Sequence, residues 1–282
     1  MIKVGVIGFG YWGPFIARNV HNIEGLKLQA ICDKREQVCR KAASFYPGAR
    51  ITTEAVEVIK DPGNDAVAIV TPVSSHYELA KMALEAGKHI FVEKPFTLTA
   101  AQGEELIELA ESRRKTIMVD HTFLFTGAVR KLKELLDSQS LGRLYYYDSV
   151  RINLGLFQHD INVIWDLAPH DLSIMDYLLD KKPVSISAHG ACHFNNSLHD
   201  VAYLILNFDK GLIDHFHLNW LSPTKIRHTI IGGEKRQELC YFRDCLETGQ
   251  KPHNDGEAGL RIVKLLEASN RSLSQGGQVI EI

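Results

Sequence analysis

The sequence predicts a doubly wound parallel α/β domain followed by an α+β domain with a mostly antiparallel sheet. Three observations lead there. Strand-like apolar runs alternate with helical patterns through the first part of the chain, as in parallel sheets with crossover helices. A glycine-rich turn separates the first strand from the first helix. In the later part, strand-like runs follow one another without a helix between them, which implies antiparallel pairing. The division is expected near Asp120, giving domains over 1–120 and 121–282.

The length, 282 residues, suits one large domain or two smaller ones. A hydrophobic share of 45% and a charged share of 23% are ordinary for a globular chain. Net charge is −2 and no long basic run occurs, which argues against nucleic acid or an anionic membrane as partner. No apolar run is long enough to span a bilayer, and a strand starting at residue 2 leaves no room for a leader. A cytoplasmic location is therefore expected. Cys32, Cys39, Cys192, Cys240 and Cys245 are scattered and form no C-x-x-C pair, so they are expected as buried free thiols.

Ile2–Ile7 is a short β-branched run and reads as a strand. Gly8-Phe9-Gly10-Tyr11-Trp12-Gly13 follows, and then a helical pattern from Pro14 to Val20 with proline in the first turn. This is strand, G-x-G-x-x-G, helix. The first glycine permits the tight turn, the second lets backbone approach a pyrophosphate, and the third allows close helix packing. The helix N-terminus offers free N–H groups to phosphate. Leu26–Cys32 reads as the second strand and ends at Asp33, placed where a carboxylate takes ribose hydroxyls. Asp33 would repel a 2′-phosphate, so NAD is expected over NADP, a preference that Lys34 and Arg35 could soften.

Glu36 to Phe45 reads as helix, Ala66 to Val70 as a fully apolar strand stopped by Thr71-Pro72, and His76 to Ala86 as a helix closed by Gly87. Lys88 to Val92 is the next strand, and Glu93-Lys94-Pro95 ends it. A charged amine at the carboxyl end of a parallel strand lies where open α/β sheets bind ligands. Thr99 to Arg114 is a further helix and Thr116 to Val119 a last short strand.

Beyond Asp120, Gly127 to Asp137 is amphipathic and helical. Tyr145 to Asn153 reads as a strand with a polar face of Tyr145, Tyr147, Ser149, Arg151 and Asn153. Val201–Phe208 and Leu212–Trp220 flank Asp209-Lys210-Gly211 as a hairpin, and Lys225–Ile231 is another strand. Trp165-Asp166-Leu167-Ala168-Pro169-His170-Asp171 opens a helix expected over Leu172 to Leu179. Asp166 and His170 share a face if the turn between them is helical. A carboxylate beside an imidazole can orient it, whereas a capping aspartate and a satisfied core histidine would give the same spacing. No metal is expected, because Asp166, His170 and Asp171 lack a third His or Cys at ligand spacing.

With the glycine-rich turn, Asp33, Glu93-Lys94-Pro95 and Asp166-x-x-x-His170 in hand, the chain resembles the glucose–fructose oxidoreductase / inositol dehydrogenase (Gfo/Idh/MocA) family over nearly its whole length. Gly8 to Gly13, Arg151 to Gly155 and Trp165 to Asp171 look most like a branch acting on nucleotide-linked sugars, which includes UDP-N-acetylglucosaminuronate 3-dehydrogenases. The resemblance implies a Rossmann domain followed by a sheet domain that covers the nicotinamide and often forms an oligomer interface. It implies Lys94, Asp166 and His170 as the catalytic group and Thr71, Pro72, His76, Glu93 and Lys94 as cofactor lining. Arg151, Asn153 and Trp165, within the matching stretches, are the implied substrate contacts. A homodimer or homotetramer is expected.

The expected chemistry is hydride transfer between the cofactor and a hydroxyl of a sugar or nucleotide-linked sugar. His170, titrating near neutrality, suits the proton acceptor, with Asp166 orienting it and Lys94 holding the oxygen. Lys94 and His170 exchange roles if burial lowers the lysine pKa. A non-catalytic NAD-binding partner module and an NAD-assisted glycosidase are the alternatives; keeping both Lys94 and His170 argues against the first. Around Gly233 to Arg236, a family-like strand and turn run straight into the start of a late helix, where several more strands usually stand. Either the substrate sheet is shortened or residues are missing from the numbered sequence, and the second is the expectation.

Overall fold

The structure, a computed structural model, describes residues 1–155, 158, 160–194, 198–234, 244–252, 255–275, 278–279 and 281. The direct join expected near 233–236 falls largely on residues outside this set.

Six parallel strands form the first sheet: β1 (Ile2–Ile7), β2 (Leu26–Cys32), β3 (Arg50–Thr52), β4 (Ala66–Ile69), β5 (His89–Val92) and β6 (Ile117–Val119), in the order β3-β2-β1-β4-β5-β6. The chain runs outward one way from β1 through β2 and β3, then the other way through β4, β5 and β6. The order therefore reverses between β1 and β4, and their carboxyl ends flank the crevice where such sheets bind ligands. Helices α1 (Gly13–Asn22), α2 (Glu36–Phe45), α3 (Ala55–Lys60), α4 (His76–Glu85) and α5 (Ala100–Arg113) supply the crossovers. Apolar runs as uniform as Val67-Ala68-Ile69 are what burial on both sheet faces selects, and all three residues are buried. β3 and α3 were not expected; at three and six residues they are too short to show a period.

The second sheet has the order β11-β7-β10-β9-β8, from β7 (Leu144–Ile152), β8 (Ser185–Ala191), β9 (Val201–Asn207), β10 (Ile213–Asn219) and β11 (Ile226–Gly233). Three of its pairings are antiparallel, but β7 and β10 run parallel. Strand β8 also escaped the sequence reading. All seven of its residues are exposed, so no buried face imposes an apolar alternation. In the β9–β10 turn both Lys210 and Gly211 adopt positive φ, 64° and 80°.

Helices α6 (Gly127–Asp137) and α7 (Val163–Leu178) pack on one face of this sheet, with α8 (Gly256–Ser274) last in the chain. The core there joins Val129, Val163, Ile174 and Leu178 to Tyr147, Leu204, Phe216 and Leu218. The opposite face carries Tyr203, its ring stacked 5.9 Å from His215 and 4.6 Å from His217. Helix α7 starts well before the expected Leu172. Asn162 caps it, its Oδ1 accepting from Ile164 N and Trp165 N at 3.1 Å each. Pro169 sits inside the helix, where it cannot donate to the Trp165 carbonyl one turn back.

Asp214 of β10 lies on the buried face beside Tyr147, fully inaccessible, and neither carboxylate oxygen finds a partner among the described residues. Burial, and secondarily the charge of Asp148, pushes its pKa from 3.8 up to about 7. A carboxyl raised on folding stabilises the fold at acidic pH, and that contribution is lost as pH rises from 3.8 toward about 7. Asp214→Asn is therefore expected to raise the melting temperature more at pH 8 than at pH 5; an equal shift at both pH values in a thermal melt contradicts this.

Candidate active site

The glycine-rich turn is shaped by contact on two sides and left open on a third. Gly8 has φ +97°, and a Cβ there would stand 2.4 Å from the Val70 carbonyl oxygen. One on Gly13 would stand 2.2 Å from the Gly8 oxygen, so α1 presses directly on the turn. A Cβ on Gly10 would meet only the Arg35 Nη2, at 3.8 Å. Two glycines thus serve packing, while the middle one leaves backbone approachable, which fits a dinucleotide pyrophosphate. Tyr11 and Trp12 are exposed and meet edge to face at 5.3 Å. Phe9 differs from expectation: its ring is buried in the core against Tyr46, and only its amide reaches the site.

Asp33 lies at the end of β2, 7% exposed. Its Oδ2 accepts from Phe9 N at 2.9 Å, and Arg35 meets both oxygens through Nε and Nη2 at 2.9 Å each. Burial pushes the carboxyl up, but the Arg35 and Phe9 donors outweigh it and hold the pKa below its usual value.

Thr71 and Pro72 follow β4 beside this turn, Thr71 Oγ1 accepting from Ser75 at 2.7 Å. His76 does not line the crevice as expected. It is 1% exposed, and its ring nitrogens lie 2.9 Å from the Pro95 carbonyl and 2.8 Å from the Thr71 carbonyl. It ties the ends of β4 and β5 together.

At the end of β5, Lys94 reaches across to α7. Its Nζ donates to the Asp166 carbonyl at 2.8 Å and contacts Asp166 Oδ1 at 3.4 Å. Asp166 Oδ2 accepts from Trp220 Nε1 at 3.1 Å. The expectation that Asp166 orients His170 is thereby corrected: the carboxylate is shared between Lys94 and Trp220. His170 Nδ1 is buried without a partner among the described residues, and the ring meets Phe123 edge-on at 4.9 Å. The expectation that His170 titrates near neutrality is also corrected. Burial first, then the charges of Lys94, Arg151 and Arg227, push it down to about 2.

Arg151 is buried and bound two-fold to Asp171, at 2.7 and 2.8 Å, with its guanidinium 4.6 Å from the Phe123 ring centroid. Its fork is committed to α7, so the structure gives it the role of fixing that helix in place of the expected direct substrate contact. Asn153 donates its backbone N–H to the Asn219 carbonyl at 3.0 Å, and Trp165 is 40% exposed near the start of α7.

Of the neighbours of Lys94, Glu93 was expected at the cofactor, whereas Asp120 and His121 were missed. Glu93 is buried and accepts from Lys94 N at 3.0 Å. Burial, then the charge of Asp120, push it up to about 7, and the two carboxyls are hydrogen-bonded. His121, whose Nδ1 is buried and unpartnered among the described residues, adds to the field on His170. Asp120 and His121 directly follow β6, so the strand-end rule that found Lys94 also covers them. Among the described residues no group of three His, Cys, Asp or Glu could hold a metal ion.

A parallel sheet with this turn and Asp33 at the crevice, and with a strand-end lysine meeting an aspartate and histidine helix from a second sheet domain, defines a class. It is that of the NAD(P)-dependent dehydrogenases acting on CH–OH groups. Two family models match: the oxidoreductase family with NAD-binding Rossmann fold over residues 2–121, and the GFO/IDH/MocA C-terminal domain over 129–237. The chain belongs to the Gfo/Idh/MocA family. It is 30% identical over 246 residues to a scyllo-inositol 2-dehydrogenase (NAD+) of Bacillus subtilis, covering 83% of this chain and 72% of that one. It is 31% identical to a UDP-N-acetylglucosamine 3-dehydrogenase of Acidithiobacillus ferrooxidans, covering 75% and 65%. A solved scyllo-inositol dehydrogenase from Lactobacillus casei, with bound NAD(H) and scyllo-inositol, shares the fold. It superposes with TM-score 0.76 at 20% identity over 84% of this chain and 75% of that one.

Glu93 titrates one residue from Lys94, neutral below about pH 7 and charged above it. The profile of kcat/KM is expected to bend near pH 7, and Glu93→Gln to remove that bend. An unchanged bend in the variant assigns it to another group.

Proposed function

We propose that the chain oxidises a secondary hydroxyl of a sugar or nucleotide-linked sugar, or reduces the matching ketone. The observation that carries this reading is the Lys94 ammonium held by Asp166 beside a neutral His170, at the carboxyl end of β5 in the sheet that carries the glycine-rich turn. Gly8, Gly10, Gly13 and the Phe9 amide would hold a dinucleotide, with Asp33 at its ribose and Tyr11, Trp12, Thr71, Pro72 and Glu93 around it. A bound NAD(P) supplies the hydride acceptor; the chain supplies the rest.

The substrate oxygen changes from hydroxyl to carbonyl and needs a proton acceptor and a hydrogen-bond donor. An ammonium has three donors; Asp166 takes two of those of Lys94, and the third can hold that oxygen against developing negative charge. His170 enters neutral at physiological pH, so it accepts the hydroxyl proton without first losing one. Burial, and then the cations around it, make the imidazolium a strong acid, ready to return the proton in the reverse direction. Asn153 and Trp165 would contact substrate, with Arg151 and Asp171 bracing α7. A boundary near residue 120, a cytoplasmic location and a homodimer or homotetramer built on the open face of the second sheet belong to the same reading. Among the described residues no helix is long and apolar enough to cross a membrane.

Losing a positioned acid–base group costs roughly 10²–10⁴-fold in rate. Lys94→Ala and His170→Ala are each expected to lower kcat by that order while leaving the Kd for NAD nearly unchanged. Groups acting together are non-additive, so the double variant should be little worse than the weaker single. Fully multiplying losses in steady-state kinetics would separate the two residues mechanistically.

A further inference from the structure

The Asp33 carboxylate has no acceptor capacity left. Oδ2 accepts from Phe9 N and Arg35 Nη2, each at 2.9 Å. Oδ1 accepts from Arg35 N at 3.0 Å and Arg35 Nε at 2.9 Å. An ionised carboxylate offers about four lone-pair sites, and four donors fill them. Two of these donors are backbone groups that the β2 end and the glycine-rich turn hold in place. The other two belong to one side chain, 62% exposed and free to leave. A ribose hydroxyl can therefore reach Asp33 only by displacing the Arg35 fork, and bidentate charge-assisted pairs are among the stronger hydrogen bonds.

We propose that Arg35 is a specificity-determining lock on the ribose acceptor, competing with NAD for Asp33 and welcoming the 2′-phosphate of NADP. This rests on the dinucleotide reading above. The Arg35 Nη2 lies 3.8 Å from where a Gly10 Cβ would stand, so the guanidinium hangs over the open side of the turn. A phosphate arriving there meets an arginine whose fork matches it bidentately. A bare ribose must instead break the arginine's bonds to gain its own. One side chain thus subtracts from NAD affinity and adds to NADP affinity, narrowing the discrimination Asp33 alone would impose. Exposed Lys34 adds charge of the same sign.

The test is calorimetric Kd for NAD and NADP on the whole protein, repeated with ADP-ribose and its 2′-phosphate so that only the adenosine end is probed. Arg35→Ala is expected to lower the Kd for NAD and ADP-ribose by about tenfold and to raise it for the phosphorylated pair by about tenfold. Arg35→Gln, which keeps length but not charge, should move NAD in the same direction. In an Asp33→Ala background the gain for NAD on removing Arg35 should vanish, because the lock acts through that carboxylate. Weaker NAD binding by Arg35→Ala overturns the lock, showing that the arginine supports adenosine; so does a gain that persists without Asp33. Wild-type protein binding neither dinucleotide overturns the cofactor reading itself.

Discussion

The contact between Lys94 and Asp166 is the one on which the site depends. It joins residues 72 apart in sequence, one at the end of β5 and the other on α7. Each end is fixed by its own domain. Strand β5 lies between β4 and β6, and His76 binds the backbones of Thr71 and Pro95, so the lysine turn moves with β4. Helix α7 is capped by Asn162 and clamped by Arg151 on Asp171. With both partners mostly buried, removing either leaves the other charge poorly compensated, a loss of about 3–5 kcal/mol for such pairs. The contact is therefore also a pin between the two sheets.

Around that pin the charges are sorted. Burial first, and then the charges of Lys94, Arg151 and Arg227, keep His170 neutral. Asp166 and Asp171 answer two of those cations, while Glu93 and Asp120 share a hydrogen bond one residue from the lysine. Asp166 is spent on holding Lys94 and Trp220, which leaves His170 Nδ1 without a partner among the described residues. An unpartnered buried nitrogen costs stability.

Much of this was legible in the sequence. The first sheet's strands are buried on both faces and show as unbroken apolar runs, and the glycines declare the turn by where side chains cannot fit. Lys94 was found by its place at a strand end, and Asp166 and His170 by their i,i+4 spacing. Spacing gave a shared helix face but not partners. It could not show that a lysine from the other domain would take the carboxylate, nor that burial together with three cations would depress the imidazole. Arg151 reads as a substrate contact because it lies in a family-like stretch, and a resemblance does not show which way a strand face points; here Tyr147, Ser149 and Arg151 point at α7. The parallel pairing of β7 with β10 was hidden because local sequence does not encode strand order. Short β3 and α3 were hidden because a period needs length.

The most direct test of the account is a crystal structure of the protein with NAD and a non-reacting analogue of its sugar. One substrate oxygen is expected within hydrogen-bond reach, about 3 Å, of both Lys94 Nζ and a ring nitrogen of His170. A substrate bound with that oxygen in reach of neither, or with Lys94 and His170 opening on separate spaces, would contradict it.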